Sequence, residues 1–312
     1  MTTPRRRRHD PLPPGDAGRV VPPGPSTVDL HTHTTRSDGV VAPAELVQAA
    51  WDAGVRILSL TDHDTLAGYR EVVAAGAVPA GMTLVPGVEI NALVTRDLGL
   101  WEGELHILGF GMDPFDEAFE SVLASQRDRR RVRFVRTTAR LRELGLPIDV
   151  EVAALASTEE DALGRPTIAR ALMAAGHASS VEDAFARLLG HGQPAYVRRE
   201  GLEPEAAIRA ITAADGVPVL AHFREARQRK DIVRELIEAG LAGLEVYYRS
   251  FDAATVSAVG KIAESLDLLA TGGTDYHGDL GPYAGAQAAL WVPPEVGERL
   301  LERVVPWSSL PD

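Results

Sequence analysis

The 312-residue chain contains no cysteine. Disulfides, thiolate nucleophiles, zinc-thiolate sites and iron-sulfur clusters are therefore excluded, and any metal must sit on nitrogen and oxygen ligands. Lysine is almost as scarce: Lys230 and Lys261 are the only two, both in stretches of helical pattern away from any predicted strand end. That disfavours Schiff-base chemistry and a carbamylated-lysine bridge, and there is no GxxxxGK[ST] phosphate loop. No apolar run approaches the ~18 residues of a membrane span. A net charge of −12 argues against a broad electrostatic grip on nucleic acid but leaves small anionic substrates open. With 45% hydrophobic and 24% charged residues the composition is that of a soluble globular protein, and the expected location is the cytoplasm.

Residues 1–27 hold four consecutive arginines, Arg5, Arg6, Arg7 and Arg8, seven prolines and no apolar periodicity, the pattern of a disordered arm. From residue 28 onward, β-rich runs at 28–31, 56–61, 83–90, 104–110, 217–222, 243–247 and 268–273 end in polar residues and alternate with helical patterns. This βαβ rhythm predicts an α/β fold: a barrel one unit short of the usual eight, with an open doubly wound sheet as the other reading. Between the fourth and fifth runs the periodicity is helical, with a long charged helix at 117–144. The expected organisation is a barrel from 28–114 and 206–312, with a helical insertion at 115–205 acting as a lid over the substrate.

Chemistry-bearing residues gather at the ends of these runs. His31 and His33, two apart on an extended segment, point the same way. Thr61-Asp62-His63-Asp64 ends the second run. Glu89 lies in the third, His106 in the fourth, His222 ends the fifth, and Asp275 and His277 follow the seventh. A lone HxH is weak, and His106 or His222 alone, each beside apolar residues, would be read as a core histidine. Convergence overrides that reading: six of the nine histidines, all but His9, His177 and His191, fall on predicted strand segments or just beyond them. Imidazoles and carboxylates gathered on one rim are a metal-ligand pattern.

The segments HTHTTRSDG (His31 to Gly39), TDHD, GVE, HILG, AH and TDYH, in that order from 28 to about 281, resemble the polymerase-and-histidinol-phosphatase (PHP) family. Within it, the chain is most similar to stand-alone nucleoside 3',5'-bisphosphate phosphatases and 5'-end-trimming exoribonucleases, which also carry a helical insertion. The resemblance implies a distorted (β/α)7 barrel and two or three divalent ions, manganese first, with zinc or iron as alternatives. His31, His33, Glu89 and Asp275 would hold the first ion. Glu89 would bridge to a second on His106 and His222, and Asp38, His63 and His277 would hold a third. Glu89, Asp275 and His222 are the residues expected to matter most to catalysis. Asp62 and Asp64 are expected to orient ligand histidines rather than bind metal. Glu245 is expected to be structural, since the family's metal sets do not use that position. Two departures stand out: Phe223 follows His222 where relatives often have proline, and Thr167 stands where they often have histidine.

On the long helix, Leu123, Arg127, Arg130, Phe134, Thr137 and Leu141 form a stripe in which two arginines interrupt apolar spacing. A solvated or paired face would account for them. The sharper reading is that Arg130 and Arg133, which match an arginine pair in resembling proteins, clamp a second phosphate of the substrate. The expected activity is hydrolysis of a phosphate monoester on a small nucleotide, a nucleoside 3',5'-bisphosphate going to the 5'-monophosphate and phosphate through metal-activated water. Stepwise cleavage of short 5'-phosphorylated RNA and a histidinol-phosphate phosphatase are the alternatives. A non-catalytic metal-stabilised module and a deaminase or amidohydrolase are the rivals from other classes. No obligate protein partner and no membrane are expected.

Overall fold

Seven short runs rich in Val, Ile and Leu become seven strands, because each presents one row of apolar side chains to a common interior and another to surrounding helices. The computed structural model describes residues 24, 26–95, 103–154, 163–278 and 281–304. The arm expected over 1–27 lies almost wholly outside these. The strands are β1 (Val28–Asp29), β2 (Ile57–Leu60), β3 (Thr83–Leu93), β4 (Glu104–Phe110), β5 (Val217–Leu220), β6 (Gly243–Tyr248) and β7 (Leu269–Gly273). They form one sheet in sequence order. Its two ends meet: Leu30 N–H donates to Gly272 O at 3.1 Å, Asp275 N–H to His31 O at 2.7 Å and His33 N–H to Tyr276 O at 2.8 Å. The sheet is a nearly closed seven-stranded barrel.

One strand runs against the expected rhythm. β4 pairs antiparallel with both β3 and β5, while the remaining neighbours pair in parallel. The physical reason is the connection. β3 ends at Leu93 and β4 begins at Glu104, too short a span for the dozen or more residues of a parallel crossover. Reversal puts the start of β4, with His106, on the rim where the other strands end.

The interior is divided by height. Val28, Leu30, Val85, Leu108, Phe110, Val217, Val219 and Ala221 fill the lower barrel. They are closed from beneath by Val296 and Leu300 of a C-terminal helix, Pro294–Leu301. Phe110 and Leu108 are fully buried, each contributing about 1.5–3 kcal/mol. Two residues up the same row of β4 stands His106, so a single period-2 pattern runs from core to site. Outside the barrel, α1 (Pro43–Asp52), α2 (Ala67–Ala74), α7 (Pro204–Ala213), α8 (Lys230–Glu238) and α9 (Ala253–Ser265) cover the outward rows.

Between β4 and α7 come α3 (Glu117–Glu143), α4 (Asp149–Ala154), α5 (Arg165–Ala174) and α6 (Val181–Ala184), the last continuing as a π-helical turn, Phe185–Leu189. Asp116 caps α3 by accepting from Phe119 N–H at 2.7 Å. Glu117 and Glu120 in its first turn and Arg140 and Arg142 in its last suit the helix dipole. These helices build an apolar cluster of their own around Phe134, Leu141, Ile168, Leu172 and Leu189. No helix among the described residues is long and apolar enough to cross a membrane.

Candidate metal centre

The upper rim brings together all nine residues expected to hold metal. Glu89 is the hub: its oxygens lie 2.5 Å from His106 Nδ1, 3.1 Å from His222 Nε2, 3.1 Å from His63 Nδ1, 3.3 Å from His33 Nε2 and 3.4 Å from His31 Nε2. Asp275 Oδ1 lies 3.4 Å from His31 Nε2 and 3.2 Å from His33 Nε2. Asp38 faces His63 at 3.5 Å and His277 at 3.2 Å. Three sets have ligand atoms close enough to share an ion: His31, His33, Glu89 and Asp275; His33, Asp38, His63 and His277; and His63, Glu89 and His106. These sets differ from the expected partition in two places, the first being that His33 joins Asp38, His63 and His277. In the second, His63, rather than His222, completes the set with Glu89 and His106, although His222 keeps its contact with Glu89.

These residues fit divalent cations on their own chemistry. His31 Nε2, His33 Nε2 and His63 Nδ1 are buried ring nitrogens with no hydrogen-bond partner, a costly condition that a bound cation would relieve. Burial opposes charge on Glu89, Asp38 and Asp275. The imidazoles around them win, and each carboxyl is held well below the usual range. Burial also opposes charge on His33, but Asp275 and Glu89 raise its pKa from 6.5 to about 10, and Glu245, Asp275 and Glu89 raise His31 well above normal. His63 goes the other way, pushed down to about 3 chiefly by burial. Carboxylates held ionised beside buried imidazoles are what a cation cluster requires.

Backbone conformation is unusual here. Of the five non-glycine residues with positive φ among the described residues, Asp64 (φ 52°), His222 (φ 36°) and Asp275 (φ 48°) belong to this rim. Such conformations persist where surrounding structure over-determines them. Gly273, just before Thr274 and Asp275, has no room for a side chain: a Cβ would lie 2.3 Å from His31 N.

The two aspartates flanking His63 are otherwise engaged. Asp62 accepts from Thr34 N–H and Oγ1–H and from Ser37 Oγ–H, each at 2.7 Å, and so fixes the loop that carries Asp38. It reaches His33 only through Ser37, whose Oγ is 3.4 Å from His33 Nδ1. Asp64 contacts no ligand histidine; it pairs with Arg130 Nε and lies 3.5 Å from Arg199 Nη2. Arg130 also donates to Asn91 Oδ1 at 2.5 Å. Arg127, on the same helix stripe, finds Glu120 at 2.5 Å and the Asp64 carbonyl at 3.0 Å.

Several participants are not legible in the sequence. Asn91 side-chain nitrogen lies 2.5 Å from His106 Nε2, and Tyr248 donates to Asp275 Oδ2 at 2.9 Å. Glu245, expected to be merely structural, accepts from His31 Nδ1–H at 2.9 Å. Asp29 gathers Thr274 N–H, Thr274 Oγ1–H and Tyr283 O–H at 2.9, 2.7 and 2.7 Å beneath the rim. An acidic residue inside an apolar strand end, as in Leu244-Glu245-Val246, is the one available signal, since a buried carboxylate needs partners.

The centre opens into a cavity of about 450 Å³. Its wall includes Glu89, His106 and Asp275 of the rim, Phe134, Ile168 and Phe185 of the insertion, and Arg130, Arg133, Arg165 and Arg199. Arg133 Nε donates to Val197 O at 2.9 Å, while its Nη2 and the Nε of Arg199 are buried without partners. Arg133 is pushed down to about 9, first by burial and then by Arg165, with Arg199 also repelling it. Glu104, against burial, is held down to about 2 by Arg199, Arg165 and Arg133. Thr167 is buried, with Oγ1 unpartnered, and lies outside the cavity wall.

Comparison with known proteins agrees with this picture. The model of the PHP domain matches residues 29–214. A 5'-3' exoribonuclease of Haemophilus influenzae is 35% identical over 255 residues, covering 80% of this chain and 89% of that one. A 3',5'-nucleoside bisphosphate phosphatase of Chromobacterium violaceum is 30% identical over 260 residues, covering 81% and 87%. A crystal structure from Bifidobacterium adolescentis, described as a metal-dependent phosphoesterase, superposes with a TM-score of 0.78 at 32% identity, covering 89% of this chain and 96% of the other.

Proposed function

Because the chain belongs to the PHP domain family and is a metal-dependent phosphoesterase, we propose that its substrate is a small nucleotide carrying two separated phosphates. The reaction proposed is hydrolysis of a nucleoside 3',5'-bisphosphate to the 5'-monophosphate and phosphate. The observation that carries this reading is the shape and charge of the cavity. At about 450 Å³ it lies within the ~300–1,000 Å³ of small-molecule sites, with metal-ligand residues and unpartnered guanidinium nitrogens both on its wall.

Under this reading His31, His33, Glu89 and Asp275 hold one ion, Glu89 and His106 a second with His63 or His222, and Asp38, His63 and His277 a third with His33. Bound divalent ions supply Lewis acidity toward phosphate oxygens and acidify water near neutral pH. The protein's own part is placement. Tyr248 fixes Asp275, Asp62 fixes the Asp38 loop, and the lower apolar barrel keeps the ligand imidazoles from relaxing. Arg133, with Arg165 and Arg199, provides the positive wall for a remote phosphate, and the apolar residues of the insertion exclude water from the rest of the ligand. Arg130 also lines the cavity, but Asp64 and Asn91 engage it, so under this reading it anchors the long helix to the rim while Arg133 meets the phosphate.

Cleavage of short RNA from a 5'-phosphorylated end is the second reading, favoured by the 35% identity to the Haemophilus exoribonuclease. A phosphate-release and product screen of metal-loaded protein separates them. A nucleoside 3',5'-bisphosphate should show the highest kcat/KM among bisphosphates, mononucleotides, 5'-phosphorylated oligoribonucleotides and histidinol phosphate. Faster release of mononucleotides from the oligoribonucleotide would favour the second reading over the first.

A further inference from the structure

Glu245 is a carboxylate inside the barrel that no expected metal position uses. It is 1% exposed, on β6 between Leu244 and Val246. Both oxygens are engaged. Oε1 accepts from His31 Nδ1–H at 2.9 Å, and Oε2 accepts from the main-chain N–H of His222 at 2.7 Å. A carboxylate in such surroundings is costly compared with an apolar residue of similar size, so packing alone gives no reason for it.

The strand is shaped around it. Side chains alternate along a regular strand, so residues 245 and 248 should face opposite ways. The β6–β7 register slips between Glu245 and Tyr247, a bulge that re-aims the end of the strand. As a result Glu245 and Tyr248 both reach the rim, the first under His31 and the second on Asp275.

We propose that Glu245 is a positioning residue that orients ligands of two different metal positions at once, His31 through its ring and His222 through its main chain. By accepting from Nδ1–H it selects the tautomer whose Nε2 carries the lone pair, and aims that nitrogen between Glu89 and Asp275, 3.4 Å from each. His222 has φ 36°, a conformation rarely adopted by residues with a side chain. The Glu245 bond holds its N–H there, and with it a ring whose Nε2 is 3.1 Å from Glu89. One carboxylate thus sets the geometry of ligands arriving from β1 and β5. This role rests on the metal-centre reading above.

The test is competition of metal-free protein against a chromophoric chelator for Zn²⁺ and Mn²⁺, with wild type, Glu245→Gln and Glu245→Asp, each at a temperature where circular dichroism shows it folded. Glutamine offers one oxygen, so one of the two donors meets an amide N–H₂ instead. Affinity should fall about 10- to 100-fold in Glu245→Gln, with partial recovery in Glu245→Asp. Wild-type affinity in folded Glu245→Gln would overturn the positioning role alone. A wild-type chain that takes up no cation would overturn the metal-centre reading and this role with it. Should neither variant fold, imidazole ¹⁵N–¹H spectra of Zn²⁺-loaded wild type decide: a protected Nδ1–H on His31 supports the role, and an Nε2–H tautomer overturns it.

Discussion

Glu89 Oε1 lies 2.5 Å from His106 Nδ1, across the antiparallel ladder of β3 and β4. The same carboxylate touches four further imidazoles, so removing its charge affects every neighbouring ligand set together. Glu89→Gln should lose at least one bound cation per chain by elemental analysis. Its kcat/KM should drop by more than the about 10- to 100-fold expected from losing a supporting partner. Near-normal metal content and turnover would place the bridging role elsewhere.

Protons should compete with metal. In the metal-free protein His33 titrates at about 10 and His31 well above its ordinary value, so binding at their Nε2 atoms must release protons. Apparent affinity should therefore rise between pH 6 and 9, about tenfold per unit for each proton displaced, read by titration calorimetry in buffers of different ionisation enthalpy. In metal-free stability the two shifted histidines act in opposite directions. The raised His33 pKa stabilises the fold fully below about 6.5, and that contribution is lost as pH climbs through about 10. His63, lowered to about 3, costs stability increasingly as pH falls below 6.5.

The two arginines of the helix stripe should part company. Arg133→Ala should erase most of any preference for a 3',5'-bisphosphate over the matching monophosphate, about ten- to a hundredfold for a charged contact of ~1.5–3 kcal/mol. Turnover of p-nitrophenyl phosphate, which has no second phosphate, is the control. Arg130→Ala instead strips a partner from Asp64, whose side chain is fully buried, and should lower Tm on both metal-free and loaded protein by an amount equivalent to about 3–5 kcal/mol. Equal effects of both substitutions on substrate preference would contradict this division.

Gly273→Ala tests the crowding beneath the first ligand. A Cβ 2.3 Å from His31 N and 2.5 Å from His31 Cβ cannot be accommodated by flexible side chains alone. The variant should bind fewer cations per chain, while near-wild-type metal content would mean that β1 can shift without cost.

Period and composition set how much of the molecule is readable from sequence. All seven strands lie where β-rich runs end in polar residues, and α3 covers the expected charged helix to within a residue. The direction of β4 is not legible, because period-2 alternation is the same whichever way a strand runs. Only the ten residues between Leu93 and Glu104 carry that information. At the rim, residue types name the candidates, but their pairing is not written in the sequence: Asp64, the partner of Arg130, lies 66 positions away in the chain. Glu245 escapes for the complementary reason, since its two donors come from strands β1 and β5, far away in sequence.

The reversal of β4 also dictates the reach of the insertion. The chain leaves β4 at Phe110, level with the start of β5 and far from the rim, so whatever covers the cavity must first travel back up the outside of the barrel. α3, with 27 residues and about 40 Å of axial length, makes that climb in one rigid piece. Arg127 and Arg130 fasten it at Asp64 on the way past. The insertion is thus carried on a mast rooted at the base of the barrel and fastened midway along its length to Asp64, the residue next to His63.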